Sequence, residues 1–144
     1  MEWEGMEAKR VIIAKSDQDA HELSVRYLAH LLKEAGMEVI FLRYFLIDEV
    51  AKAAGEEDVR VIALCFYGSG LMQDTAKLIN LIKKYQMEDV VLVTGGTINR
   101  QEKERLLEMG VKHVFMPGVG TLQDVADTIK SYMVTKEIGD GRTH

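Results

Sequence analysis

The segment Lys15-Ser16-Asp17-Gln18-Asp19-Ala20-His21-Glu22-Leu23-Ser24 joins an apolar run to an amphipathic one and sets a carboxylate two residues before a histidine. A histidine coordinates a metal through one ring nitrogen, while a carboxylate fixes the proton on the other nitrogen and the ring's orientation. Asp19 and His21 have the types and spacing for that job. One such ligand leaves the metal's other positions to another donor set, as when a metal is carried in a macrocycle. On residue type alone, other readings stand beside this one. His21 also suits a solvated loop, Asp19 suits a helix cap, and Lys15 at a strand end suits a surface charge.

The elements that must position this segment alternate. Arg10–Ala14 is a continuous apolar run, as expected of a strand covered on both faces. Leu28, Leu31, Leu32 and Ala35 repeat at helical spacing, and Gly36 supplies a left-handed stop. Glu38–Leu42 predicts a second strand, and Ile47, Val50, Ala51 and Ala54 stripe a helix ending near Gly55. Val59–Cys65 predicts a third strand, followed by a helix marked by Leu71, Thr75, Leu78, Ile79 and Ile82. Asp89–Thr94 predicts a fourth strand, closed by Gly95-Gly96. Asn99 with Glu102 forms a capping-box pattern for a helix ending at Gly110. Val111–Met116 predicts a fifth strand, and Thr121 caps a last helix through Leu122, Val125, Ala126 and Ile129.

Five βα units with short connections imply a parallel sheet with helices on both faces. Right-handed crossovers then favour a doubly wound, flavodoxin-like α/β domain of strand order 2-1-3-4-5. We expect an extension at 1–9, a single domain at 10–134 and a flexible tail at 135–144. Four loops gather at the strands' carboxyl ends: Ser16–Glu22, Phe66–Gly70, Gly95–Asn99 and Pro117–Gly120. Three of them are rich in glycine, which permits close backbone approach to a ligand but also serves tight turns with none.

Composition narrows the function classes. Hydrophobic residues make up 47% and charged residues 28% of the 144, an ordinary globular balance. A net charge of -5 argues against a phosphate-backbone partner. No apolar run reaches the length of a membrane span, and no basic-then-apolar leader precedes the first strand. Cys65 is the one cysteine, which excludes an internal disulfide and suits a reducing cytoplasm. It reads as a buried apolar-like thiol, His30 as a core-rim residue, and His113 takes no role. A receiver domain would carry aspartate at the end of the third strand, where Cys65 and Phe66 stand. The acidic Asp17, Asp19 and Glu22 oppose a flavodoxin-type phosphate loop, and no G-x-G-x-x-G or G-x-S-x-G is present.

From Arg10 to about Tyr132 the chain resembles the cobalamin-binding domain of adenosylcobalamin-dependent acyl-CoA mutases, the methylmalonyl-CoA mutase type. That family's signature is D-x-H-x-x-G after the first strand, S-x-L after the third and G-G after the fourth. Asp19-Ala20-His21 keeps the D-x-H, and Lys15 stands where the family usually carries lysine. Glu34-Ala35-Gly36-Met37-Glu38-Val39-Ile40 reads like its first-helix end and second strand. Gly95-Gly96 matches the double glycine, and Met109-Gly110-Val111, Val114-Phe115 and Pro117-Gly118 follow its closing pattern. Ser24 replaces the signature glycine, and Cys65-Phe66-Tyr67, followed by Gly68, replaces S-x-L.

The resemblance implies that His21 is the lower axial ligand of cobalt, Asp19 its hydrogen-bond partner and Lys15 a support for Asp19. It implies a cobalamin-binding small subunit, inactive alone, of an isomerase whose acyl-CoA site lies on a separate barrel subunit. Ala20, Ser24, Cys65, Tyr67, Gly68, Gly95, Gly96, Pro117 and Gly118 would complete the cofactor site. In the family the cofactor's dimethylbenzimidazole tail enters a deep channel, which Ser24, Cys65 and Tyr67 would alter. Two other roles remain open. One is an interaction or regulatory module that has lost the cofactor, and the other is a corrinoid carrier for methyl transfer.

Overall fold

A computed structural model describes residues 9–17, 22–66 and 70–142, with side chains through Met133. Strands and helices alternate as β1 (Arg10–Ser16), α1 (Leu23–Glu34), β2 (Glu38–Tyr44), α2 (Asp48–Glu57) and β3 (Val61–Phe66). The second half follows as α3 (Leu71–Lys84), β4 (Val91–Gly96), α4 (Arg100–Met109), β5 (His113–Phe115) and α5 (Leu122–Arg142). All pairings are parallel and the order is β2-β1-β3-β4-β5. The fold is the expected flavodoxin-like one.

Strand alternation divides the core in two. Ile12, Ala14, Ile62, Leu64 and Leu92 face one side and meet Val50, Ala54, Leu78 and Leu106 of α2, α3 and α4. Val11, Ile13, Val61, Ala63, Cys65 and Val93 face the other and meet Val25, Leu28, Leu32, Ala126 and Ile129 of α1 and α5. The order in which successive strands are added reverses between β1 and β3, which opens the ligand crevice of such sheets at their carboxyl ends.

Several boundaries differ from expectation. Helix α2 runs through Gly55 and ends at Asp58, whose φ of 55° makes the left-handed turn. A Cβ at Gly55 would find only ordinary contact with Met87, so nothing stops the helix there. Strands β3 and β4 start two residues later than expected, and β5 is reduced to three residues. Gly95 and Gly96 lie inside β4, paired with Cys65 and Phe66, rather than after it. Asn99 and Glu102 do form a reciprocal capping box on α4. His30 is exposed, with its ring 3.5 Å from Glu34, rather than at the core rim. The backbone of α5 continues through Arg142. No helix among the described residues is long and apolar enough to cross a membrane.

Candidate functional site

Lys15 occupies the last full turn of the β1 pleat, and its side chain is fully buried. Its Nζ donates to the Ser16 carbonyl at 3.0 Å. Taking an ammonium out of water is costly unless polar groups receive it. The alternative reading of Lys15 as a mere surface charge does not hold. Lys15 sits beside Cys65 of β3 and Arg43 of β2 in the sheet register.

Asp17 and Glu22 flank residues 18–21, and Arg43 reaches both. Its Nη2 lies 3.3 Å from Asp17 Oδ1 and its Nε 3.0 Å from Glu22 Oε2. Arg26 takes the other Glu22 oxygen at 3.0 Å and lies over the Phe41 ring. Ser24 is exposed in the first turn of α1. Asp19, Ala20 and His21 lie outside the described residues, as do Tyr67 and Gly68. Their flanking residues leave the neighbouring strands β1 and β3 at the same edge.

Between the sheet and helices α1 and α5 lies a cavity of about 70 Å³. Cys65, Gly95, Gly96 and Phe115 contribute from the carboxyl ends of three strands, and Leu28, Leu122, Val125 and Ile129 from the helices. Cys65 is buried, as expected, and belongs to the apolar cluster on this side. Sequence reading missed Phe115, Leu122 and Val125 as lining residues. Period-2 alternation in β3, β4 and β5 carries the signal, because it puts Cys65, Gly95 and Phe115 on one face.

The glycines differ in purpose. A Cβ at Gly95 would lie 3.4 Å from Phe115 Cβ, so its absence keeps that corner of the cavity open. Gly96 has a φ of 123° and presses on the Phe66 backbone, so the fold itself requires it. Pro117 and Gly118 lie exposed in the turn after β5, where Gly118 takes a φ of 76° in open space. Beyond that turn, Thr121 and Asp124 exchange hydrogen bonds and cap α5 as expected.

The B12 binding domain model matches residues 9–126, most of the chain. The chain belongs to the B12-binding domain family. It is homologous to methylmalonyl-CoA mutase, at 31% identity over 121 residues of the Escherichia coli enzyme, covering 83% of this chain and 17% of that protein. It thus spans about a sixth of the length of the methylmalonyl-CoA mutases it matches. The pivalyl-CoA mutase small subunit of Xanthobacter autotrophicus is 35% identical over 118 residues, covering 79% of this chain and 77% of that one. The 2-hydroxyisobutanoyl-CoA mutase small subunit of Aquincola tertiaricarbonis is 26% identical over 128 residues, covering 88% and 93%.

Solved structures agree on the fold. A cobalamin-binding protein from Desulfitobacterium hafniense DCB-2 superposes with a TM-score of 0.71 at 13% identity, covering 85% of this chain and 58% of that one. A CheY-like receiver domain from Methanospirillum hungatei JF-1 gives 0.69 at 17% identity, covering 91% and 98%. At such identities the likeness establishes the fold alone.

The described residues of this B12-binding domain fit the buried end of such a group in kind. Their walls are carbon-lined, one corner is glycine, and the Cys65 thiol is a weak donor. The volume is well below the ~300–1,000 Å³ usual for small-molecule pockets. A groove of about 460 Å³ between α2 and α3 is larger, but it lies toward the sheet's other edge, around Gly55, Leu81, Tyr85 and Met87.

Proposed function

We propose that this chain is the cobalamin-carrying small subunit of an adenosylcobalamin-dependent acyl-CoA mutase, working with a separate substrate-binding barrel subunit. The observation that carries the reading is the carbon-lined cavity at the carboxyl edge from which residues 18–21 leave β1. Small-subunit relatives of matching length support it. Leu23, Phe45, Leu46 and Val119 are exposed in segments at the same end of the sheet, where a partner subunit would cover them.

In this reading His21 would ligate the cobalt, Asp19 would orient its ring, and buried Lys15 would support Asp19 electrostatically. Ala20 and Ser24 flank that ligand, and Pro117 and Gly118 close the edge beyond β5. Cys65, Gly95 and Gly96, with Tyr67 and Gly68, would hold the cofactor's tail, and the α1 and α5 wall of the cavity would shield it from water. When bound, adenosylcobalamin supplies a cleavable cobalt–carbon bond that starts a radical 1,2-rearrangement of an acyl skeleton. The protein positions and tunes the cofactor, and acyl-CoA binds on the barrel subunit.

The test is electron paramagnetic resonance of the full chain with cob(II)alamin, after ¹⁵N-histidine labelling. Coupling to one protein nitrogen, lost in His21→Ala, is the expected result. Cobalamin that keeps its own base on cobalt, or a His21→Ala spectrum like the wild type, sinks the axial-ligand assignment. The narrow cavity favours one second reading, an interaction module without cofactor. Absence of any cobalamin binding by the wild type selects it.

A further inference from the structure

We propose that Arg43 is a positioning residue that ties together Asp17 and Glu22, the two residues that flank segment 18–21, and so fixes the frame from which His21 is presented. This inference rests on the cobalamin reading above. Arg43 is the penultimate residue of β2 and pairs in register with Lys15, two residues before Asp17. The Asp17 amide continues the sheet by donating to the Tyr44 carbonyl at 2.8 Å. From that fixed base one guanidinium spans the carboxylate before the segment and the carboxylate after it, at 3.3 and 3.0 Å.

A planar fork with several donors can hold two carboxylates at once, whereas an ammonium acts as a point charge. Arg26 grips the second oxygen of Glu22 at 3.0 Å, so that carboxylate is held from both sides. Side-chain exposure is 32% for Asp17 and 20% for Glu22, against 47% for Arg43, so the acids are drier than their cation. An isolated surface pair contributes little. Here the pairing joins the last described residue of one flank to the first of the other, and without Arg43 the two acids repel each other. Strand β1 and helix α1 have their own apolar core, in which Arg43 takes no part. Its removal therefore leaves the fold and loosens the hold on the two flanks.

The experiment compares wild type, Arg43→Ala and Arg43→Lys as full chains. Amide hydrogen exchange without cofactor should quicken in Arg43→Ala across 17–24 and stay unchanged across 71–84. Titration with aquocobalamin should give a dissociation constant raised about tenfold, equivalent to about 1.4 kcal/mol, and cob(II)alamin spectra a smaller histidine-ligated fraction. Arg43→Lys should recover part of each loss. Molar salt should weaken binding by the wild type toward the alanine variant and leave that variant unmoved. A wild type that binds with histidine on cobalt, beside an alanine variant of equal affinity, ligation and exchange, overturns the inference alone. A wild type that binds no cobalamin overturns the underlying reading and this inference with it.

Discussion

Gly96 lies against the Phe66 backbone on the neighbouring strand, where an added Cβ would sit 2.6 Å from the Phe66 carbonyl carbon and collide with its oxygen. The Thr97 amide, one residue on, donates to that same oxygen at 2.7 Å. Two strand ends are thus locked together at the lip of the candidate site. Gly96→Ala must break this contact and also strain a residue at a φ of 123°. Strain of that kind alone costs about 1–3 kcal/mol, and the collision adds to it. Gly118→Ala meets only the conformational cost, about 1 kcal/mol, because nothing surrounds that position. Denaturant unfolding of the two variants should separate them clearly, with Gly96→Ala the more damaging.

Tyr44 is buried at the end of β2 and donates from its hydroxyl to Asp74 Oδ2 at 2.8 Å, in the first turn of α3. It faces the side of the sheet opposite to Arg43, so consecutive residues brace different loops. Tyr44→Phe removes the donor and leaves a half-buried carboxylate without it. A bond to a charged acceptor contributes about 1.5–3 kcal/mol, and the exposed part of Asp74 puts the expected loss at the low end. Thermal unfolding checks the magnitude. Faster amide exchange at 71–75, with 17–24 unchanged, checks the location.

The fold was legible because each apolar run matched one period, and βαβ alternation leaves few topologies. Gly36 and Asn99–Glu102 marked their helix ends correctly, since positive φ and reciprocal capping are local properties. Gly55 misled for the same reason. Helix α2 keeps going because Val50, Ala51 and Ala54 are buried against the sheet, a tertiary gain that outweighs one glycine's propensity cost of about 1 kcal/mol. The burial of Lys15 was invisible because what covers a strand residue is decided by the elements packed over it, not by its neighbours in sequence. Arg43 escaped notice because its two partners lie more than twenty residues away in sequence.

His113 titrates below the ordinary histidine value of 6.5, first because burial disfavours its charged form and then because Lys103 repels it. Its ring packs on Phe115 at 4.5 Å and meets Tyr132 edge-on. With a lowered folded value, the unfolded chain binds the proton first as pH falls. Stability is therefore level above about pH 6.5 and declines from there toward the lowered value. Asp48, held low by Lys77, loses its contribution only below 3.8, so the decline that begins at pH 6.5 is not its doing. His113→Gln should be less stable at every pH through lost packing, yet flatter as pH falls below 6.5. Denaturant midpoints across that range check the slope. An unchanged slope removes His113 as its source.

The α5 wall of the small cavity provides a test that leaves residues 18–21 untouched. Leu122 and Val125 line it from the helix's first turn, and both are only half-buried, so either can change without dismantling the core. Val125→Phe puts a ring where a buried base would lie. Leu122→Ala removes side-chain volume from a wall of that narrow cavity. Opening work done in advance appears as affinity, so Leu122→Ala should bind aquocobalamin more tightly, by up to about tenfold for 1.4 kcal/mol. Its own stability should fall by less than the 2–5 kcal/mol of a fully buried leucine truncation. Val125→Phe should weaken binding by a similar factor with little change in unfolding midpoint. Calorimetric titration measures both. If the two variants bind as the wild type does, no part of the cofactor enters between the sheet and α5, and the cavity is a packing defect rather than a tail site.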